Sequence, residues 1–93
     1  MFKSNPEQDK ILKTIGAKIA DLRVEHDWTQ TVMAEKSELH RTFIARVERG
    51  SQNLAILTLF KIAKALDVNL SDLLPFDPTV DRRFKKRQTK LEQ

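Results

Sequence analysis

The sequence predicts an all-α fold of five helices in one small domain. Glycine and proline number only 2 and 3 among 93 residues, whereas a chain of short strands needs frequent turn residues. Apolar residues recur at spacings of three and four along several segments, which is the period of an amphipathic helix. Three of the five predicted helices are too short to be stable alone, so we expect all five to share one hydrophobic core.

The first helix is predicted over about residues 7–25. Asn5 precedes Pro6 and Glu7, an order typical of a helix start because asparagine caps, proline suits the first helical position and an acid favours the first turn. Trp28 follows at the junction with the second helix, where we expect it to pack in the core. Thr29 is predicted to cap the second helix. The apolar stripe of the first helix consists of Leu12, Ile15, Ile19 and Leu22.

Two short helices are predicted next, one from about Gln30 to Lys36 and one from about His40 or Arg41 to Arg49. Residues 37–39 form the break between them. The apolar face of the later helix consists of Phe43, Ile44 and Val47. Gly50 suits a left-handed C-terminal cap, so we expect this helix to end there.

The fourth helix is predicted from about residue 54 or 55 to residue 66. Asn69 and Asp72 resemble a capping box in which aspartate replaces the usual glutamate, and they open a short fifth helix that ends before Pro75. The fourth helix has an apolar side, made of Ile56, Leu59, Phe60, Ala63 and Leu66.

The charge distribution divides the chain into a domain at 1–76 and a basic tail at 77–93. The net charge is +4, and the tail holds six basic and three acidic residues, so most of the excess lies there. The tail has three interpretations: a helix that docks on a partner subunit, a flexible arm that attracts phosphates, or disorder. The basic balance alone therefore does not predict a nucleic-acid partner for the domain.

Composition argues against catalysis, cofactors and a membrane. The chain has no cysteine and only two histidines, too few for a metal cage without carboxylates. It has no phosphate-binding glycine loop, no HExxH and no third group to orient a Ser–His pair. No small-molecule site is evident, and no apolar run approaches the roughly 20 residues of a spanning helix. We expect a cytoplasmic protein that is not an enzyme and binds neither a metal nor a cofactor.

The chemistry lies in the two short helices, which form a predicted helix-turn-helix at about 30–49. In that motif the second helix buries one face and presents the other to the major groove of DNA. Arg41, Thr42 and Arg46 lie off the apolar face. Arginine can bond guanine through two hydrogen bonds, and threonine can contact base edges or a thymine methyl group. The alternative is an ordinary solvated helix face.

The order and spacing of several residues resemble the phage repressor/Cro-type, or xenobiotic-response-element-like, helix-turn-helix regulators over about residues 12–75. The shared residues are Gly16, Ile19, Leu22, Arg23, Thr29, Gln30, Ala34, the run 41–44, the run 47–50 and the stretch KIAKALDVN at 61–69. The segment HRTFIARVERGSQNL is in addition similar to the controller proteins of restriction–modification systems. The resemblance implies a lambda-repressor-like five-helix domain and a bacterial or phage source.

The resemblance also assigns roles to individual residues. It implies that Arg41, Thr42 and Arg46 read bases and that Arg23 and Glu48 form a structural salt bridge. Candidate phosphate contacts are Thr29, Gln30, His40, Arg49, Ser51, Gln52 and Asn53.

Three residues depart from the family pattern. Glu38 stands where the turn usually has glycine, so a positive φ there would be strained. His40 replaces the usual Ser, Thr or Asp cap of the recognition helix, and Leu54 replaces a common proline.

We expect a homodimer on a pseudo-palindromic double-stranded operator, because one recognition helix covers only a few base pairs. Bound dimers would block or recruit RNA polymerase, depending on where the operator lies. The alternative function is a protein-interaction module, such as an antitoxin or adaptor, that uses the same scaffold and tail. The expected dimer interface consists of Leu57, Phe60, Val68, Leu70, Leu73, Leu74 and Phe76.

Overall fold

The structure, a computed structural model, describes residues 5–75. This part of the chain forms four α-helices followed by one turn of 3₁₀ helix. The α-helices are α1 (Pro6–Glu25), α2 (Gln30–Ser37), α3 (Arg41–Arg49) and α4 (Ile56–Leu66), and the 3₁₀ turn is Leu70–Leu73. The all-α class is confirmed.

The predicted fifth helix is a single 3₁₀ turn, so the expected count of five α-helices is wrong. Asp72 closes the predicted box, its Oδ2 accepting from the Asn69 backbone N–H at 2.9 Å. Leu74 is already extended, with φ −91° and ψ 144°, because a following proline disfavours helical geometry at that residue. Too few residues therefore remain between Asn69 and Pro75 for an α-helix.

The capping residues at the helix termini are largely those that the sequence predicts. The Asn5 Oδ1 accepts from the Glu7 backbone N–H at 2.9 Å, and Thr29 Oγ1 accepts from that of Val32 at 3.2 Å. Gly50 adopts φ +76° and ends α3 in the left-handed conformation. These caps fix the starts of α1 and α2 and the end of α3, and with them the orientation of the helix-turn-helix.

One hydrophobic core joins all the elements, because each contributes a buried side chain. α1 and α2 both pack on α3, and α4 packs on α2, α1 and the 3₁₀ turn. The core consists of Ile15, Ile19, Met33, Ala34, Ile44, Val47, Leu59, Ile62, Ala63, Leu66 and Leu73.

Gly16 permits a close approach between α1 and the end of α3. A Cβ atom at this position would lie 2.2 Å from the Val47 carbonyl oxygen and 2.8 Å from that of Glu48. Any side chain there would force α1 and α3 apart. Gly16 therefore sets how α3 lies on α1.

The ends of α1 and α4 are joined around Trp28, which is half-buried against the core. Its ring stacks on His26 with centroids 4.3 Å apart, and Lys36 Nζ lies 5.1 Å from its centroid. The His26 Nε2 donates to the Leu66 carbonyl oxygen at 3.0 Å. We interpret this cluster as structural.

Candidate nucleic-acid interface

The turn between α2 and α3 has the conformation that glycine usually provides, but glutamate occupies it. Glu38 adopts φ +58° and ψ +38°, which costs an L-residue roughly 1–2 kcal/mol. The Leu39 backbone N–H donates to the Ala34 carbonyl oxygen at 2.9 Å, closing the turn. The chain thus tolerates strain at Glu38 in order to place α3 across α2.

His40 caps α3 although it is not one of the usual capping residues. Its Nδ1 accepts from the Thr42 backbone N–H at 3.1 Å. This bond satisfies one of the donors left open in the first turn of the helix. The start of α3 is therefore held in a regular conformation.

One face of α3 is turned to solvent and carries three arginines. Arg41, Thr42, Arg46 and Arg49 are all exposed, while Ile44 and Val47 on the opposite face are buried. The structure thus brings the three candidate base readers together on one unshielded surface within residues 5–75. The guanidinium groups on this surface supply several hydrogen-bond donors each.

The Arg23–Glu48 pair holds α1 against the end of α3. Arg23 Nε lies 2.7 Å from Glu48 Oε2, and a second guanidinium nitrogen lies 3.1 Å from Oε1. A third donates to the Trp28 carbonyl oxygen at 2.7 Å. The hydrogen bond to the Glu48 carboxylate raises the pKa of Arg23, against the opposite effect of burial. Arg23 is therefore a fixed cation that orients α3.

Gln30 joins this network, which sequence analysis missed. Its Nε2 donates to Glu48 Oε1 at 3.1 Å, so one of its two amide N–H groups is occupied within the protein. Only the second N–H is left to contact a phosphate. The spacing between Gln30 and Glu48 gives no sign of this contact, because their 18-residue separation spans the whole motif.

The loop after α3 presents short polar side chains beside the same surface. Ser51 and Asn53 are exposed and Gln52 is half-buried. Ser51 Oγ donates to the Arg46 carbonyl oxygen at 3.3 Å, and Gln52 Nε2 donates to that of Asn53 at 3.1 Å. These bonds order the loop, and Thr29 likewise is exposed while it caps α2.

The structure differs from the expected dimer surface at Leu73, and the buried side of α4 differs from the apolar side predicted for that helix. Leu73 is 1% exposed and belongs to the core of the domain, because the 3₁₀ turn directs it inward; the expectation that it contacts a partner is wrong. Ile56, on the apolar side predicted for the fourth helix, is 55% exposed; the buried residues of α4 are Leu59, Ile62, Ala63 and Leu66. Phe60, which is also expected at the dimer interface, is 52% exposed.

The remaining apolar candidates are divided by exposure. Leu57 and Leu74 are 73% and 44% exposed, whereas Val68 and Leu70 are half-buried against the core. Phe76 and the tail lie outside the described residues. Sequence periodicity could not identify Ile56 as a surface residue because it lies at the first turn of α4, beyond the reach of the core.

No group of three or more His, Asp or Glu side chains within residues 5–75 is arranged to hold a metal ion. None of the helices described is long and apolar enough to cross a bilayer.

Comparison with known proteins agrees with the geometry. Residues 19–73 match the helix-turn-helix family HTH_3. The control protein C.BamHI of Bacillus amyloliquefaciens is 39% identical over 62 residues, which are 66% of this chain and 76% of that protein. The fold, with the solvent-exposed face of α3, defines a helix-turn-helix DNA-binding regulator. The chain belongs to the helix-turn-helix family HTH_3.

Solved structures of restriction–modification controllers are similar as well. That of C.AhdI from Aeromonas hydrophila has a TM-score of 0.66 and 32% identity, covering 68% of this chain and 96% of that one. The C.Esp1396I tetramer in complex with its natural 35 base-pair operator has a TM-score of 0.62 and 39% identity, covering 67% and 82%. Transcriptional regulators are thus the class of protein to which this chain is similar.

Proposed function

We propose that this protein binds a pseudo-palindromic operator as a homodimer and controls transcription from it in the cytoplasm. The observation that carries the proposal is the solvent face of α3, on which Arg41, Thr42 and Arg46 stand together. A helix that buries its other face in the core is positioned to enter a major groove as a rigid unit. The Arg23–Glu48 pair supports this rigidity.

In this proposal, base edges and phosphates are contacted by different residues. Arg41, Thr42 and Arg46 select the bases, because guanidinium groups pair with guanine in two-bond geometry. Phosphate contacts fix the register of the protein on the duplex without reading sequence. They come from Thr29, the second N–H of Gln30, His40, Arg49 and the loop residues Ser51, Gln52 and Asn53.

The dimer is proposed from geometry and exposed apolar area. Two copies spaced one DNA turn, about 34 Å, read a symmetrical site and add their contacts. Burial of large exposed apolar side chains against a second copy is favourable, so these side chains are the proposed partner surface. The proposed interface consists of the exposed Leu57, Phe60, Leu74 and Ile56 together with the half-buried Val68 and Leu70. Phe76, which the sequence also predicts for this interface, lies outside the described residues.

The biological setting is proposed from the relatives. Similarity to control proteins of restriction–modification systems supports a controller of such a system, acting by blocking or recruiting RNA polymerase at its operator. The operator complex of the similar C.Esp1396I supports DNA as the partner.

Binding measurements on single variants test the proposal. With an operator recovered from random duplexes, Arg41→Ala should weaken binding by about 1–3 kcal/mol and flatten the preference at one base pair. Lys18→Ala, which removes the same charge from an exposed position of α1, is the matched control and should leave the preference unchanged. A uniform loss over all sequences in Arg41→Ala would contradict its role as a base reader.

A further inference from the structure

His40 uses one ring nitrogen to cap α3, and this bond determines where its proton lies. Its Nδ1 is 3.1 Å from the Thr42 backbone nitrogen. A backbone N–H can only donate, so Nδ1 must present a lone pair. In the neutral imidazole the proton is then on Nε2. The usual Asp cap offers the same acceptor and no donor, and a Ser or Thr cap carries its O–H donor on the same oxygen atom, close to the helix.

The second ring nitrogen faces away from the helix. Nδ1 and Nε2 lie on different edges of the ring, so an imidazole whose Nδ1 points at the first turn of α3 directs Nε2–H outward. His40 is exposed, and within residues 5–75 its Nε2 has no hydrogen-bond partner. The next two residues, Arg41 and Thr42, are the proposed base readers.

We propose that His40 acts through both nitrogens in one neutral tautomer: Nδ1 caps the recognition helix while Nε2–H donates to a phosphate oxygen of the operator. This inference rests on the proposed function, which supplies the DNA. One side chain then both stabilises the first turn of α3 and makes a phosphate contact next to the proposed base readers. Serine at this position keeps the cap but is too short to extend a donor away from the helix.

The tautomer is testable in the full-length protein without DNA. Long-range proton–nitrogen correlation spectra of the imidazole, in neutral to mildly alkaline buffer, distinguish a protonated from an unprotonated ring nitrogen. We expect the His40 signals of an Nε2–H tautomer with Nδ1 unprotonated. A proton on Nδ1, or an even mixture of the two tautomers, would overturn the assignment.

The DNA contact is testable by crossing protein variants with neutralised phosphates. His40→Ser should keep the thermal midpoint of the wild type yet bind the operator about tenfold more weakly, the size of one lost hydrogen bond. His40→Ala should lose both affinity and thermal midpoint, because it also lacks the cap. Methylphosphonate substitution, one linkage at a time, should reveal one linkage that matters to the wild type and not to His40→Ser.

The outcomes separate this inference from the proposed function. If His40→Ser bound the operator with the affinity of the wild type, His40 would act only as a helix cap. Equal sensitivity of both proteins at every linkage would show that Nε2 contacts no phosphate, and a loss confined to a base substitution would place the contact on a base instead. A wild-type protein that selects no duplex would overturn the proposed function itself, together with the contact.

Discussion

Removal of Glu48 is the most informative perturbation of the fold, because it leaves the Arg23 cation without its main partner. The two side chains are 16% and 8% exposed, so the pair is mostly shielded from water. Breaking a buried pair from one side costs about 3–5 kcal/mol. Arg23 would retain the Trp28 carbonyl at 2.7 Å and some contact with solvent, which places Glu48→Ala at about 3 kcal/mol.

This cost is large for so small a domain. About 70 residues provide a total stability of roughly 4–10 kcal/mol, and each kcal/mol lowers the melting temperature by about 4–8 °C. Urea unfolding followed by far-ultraviolet circular dichroism measures the loss, with Glu35→Ala on the exposed side of α2 as a carboxylate control that should change stability by less than about 0.5 kcal/mol. A loss below about 1 kcal/mol in Glu48→Ala, as for a surface pair, would refute the argument.

The double variant Arg23→Met with Glu48→Leu adds a second check. It removes the stranded charge together with its partner, so it should be more stable than Glu48→Ala alone.

Because the pKa of Arg23 is raised on folding, the stability that its charge contributes is fully present below the pKa of the unfolded chain. It is lost only as the pH rises through the higher folded value. A titration from neutral to mildly alkaline pH should therefore leave this contribution unchanged.

Three further predictions concern other parts of the domain. Gly16→Ala should destabilise the domain by at least about 2 kcal/mol in urea unfolding, whereas Ala17→Ser, at the exposed neighbouring position, should leave the stability unchanged. If Gly16→Ala were as stable as the wild type, α1 and α3 would not be in close contact. Glu38→Gly should stabilise by about 1 kcal/mol, and any destabilisation would contradict the strained turn. Leu57→Asp with Leu74→Asp should give folded monomers in sedimentation, and a folded dimer would place the interface elsewhere.

Much of the fold could be predicted because local signals agreed with one another. The Asn5 and Thr29 caps and the glycine at position 50 have short-range causes, and the structure contains each of them. Gly16 was identified only by its place in a family pattern, since nothing local to α1 requires a glycine. Its reason is tertiary: two carbonyl oxygens of α3 occupy the space of a Cβ.

The errors share a physical cause, which is that periodicity does not say how far a core extends. Ile56 has the spacing of a core residue but lies beyond the edge of the packed layer, whereas Leu73 is drawn inward by the 3₁₀ turn. The contact from Gln30 to Glu48 was equally hidden, because it joins residues on different helices. The exposed face of α3 was predictable, since amphipathic spacing alone separates Arg46 from Val47.

Selection of bound duplexes from random DNA tests the central claim most directly. If a dimer presents two copies of α3, the recovered sequence should be a pseudo-palindrome whose half-sites lie one helical turn apart, about 34 Å. Its preferred bases should change when Arg41 and Arg46 are both replaced by alanine. Recovery of no preferred sequence, or of the same sequence by that double variant, would contradict the claim that the solvent face of α3 reads DNA.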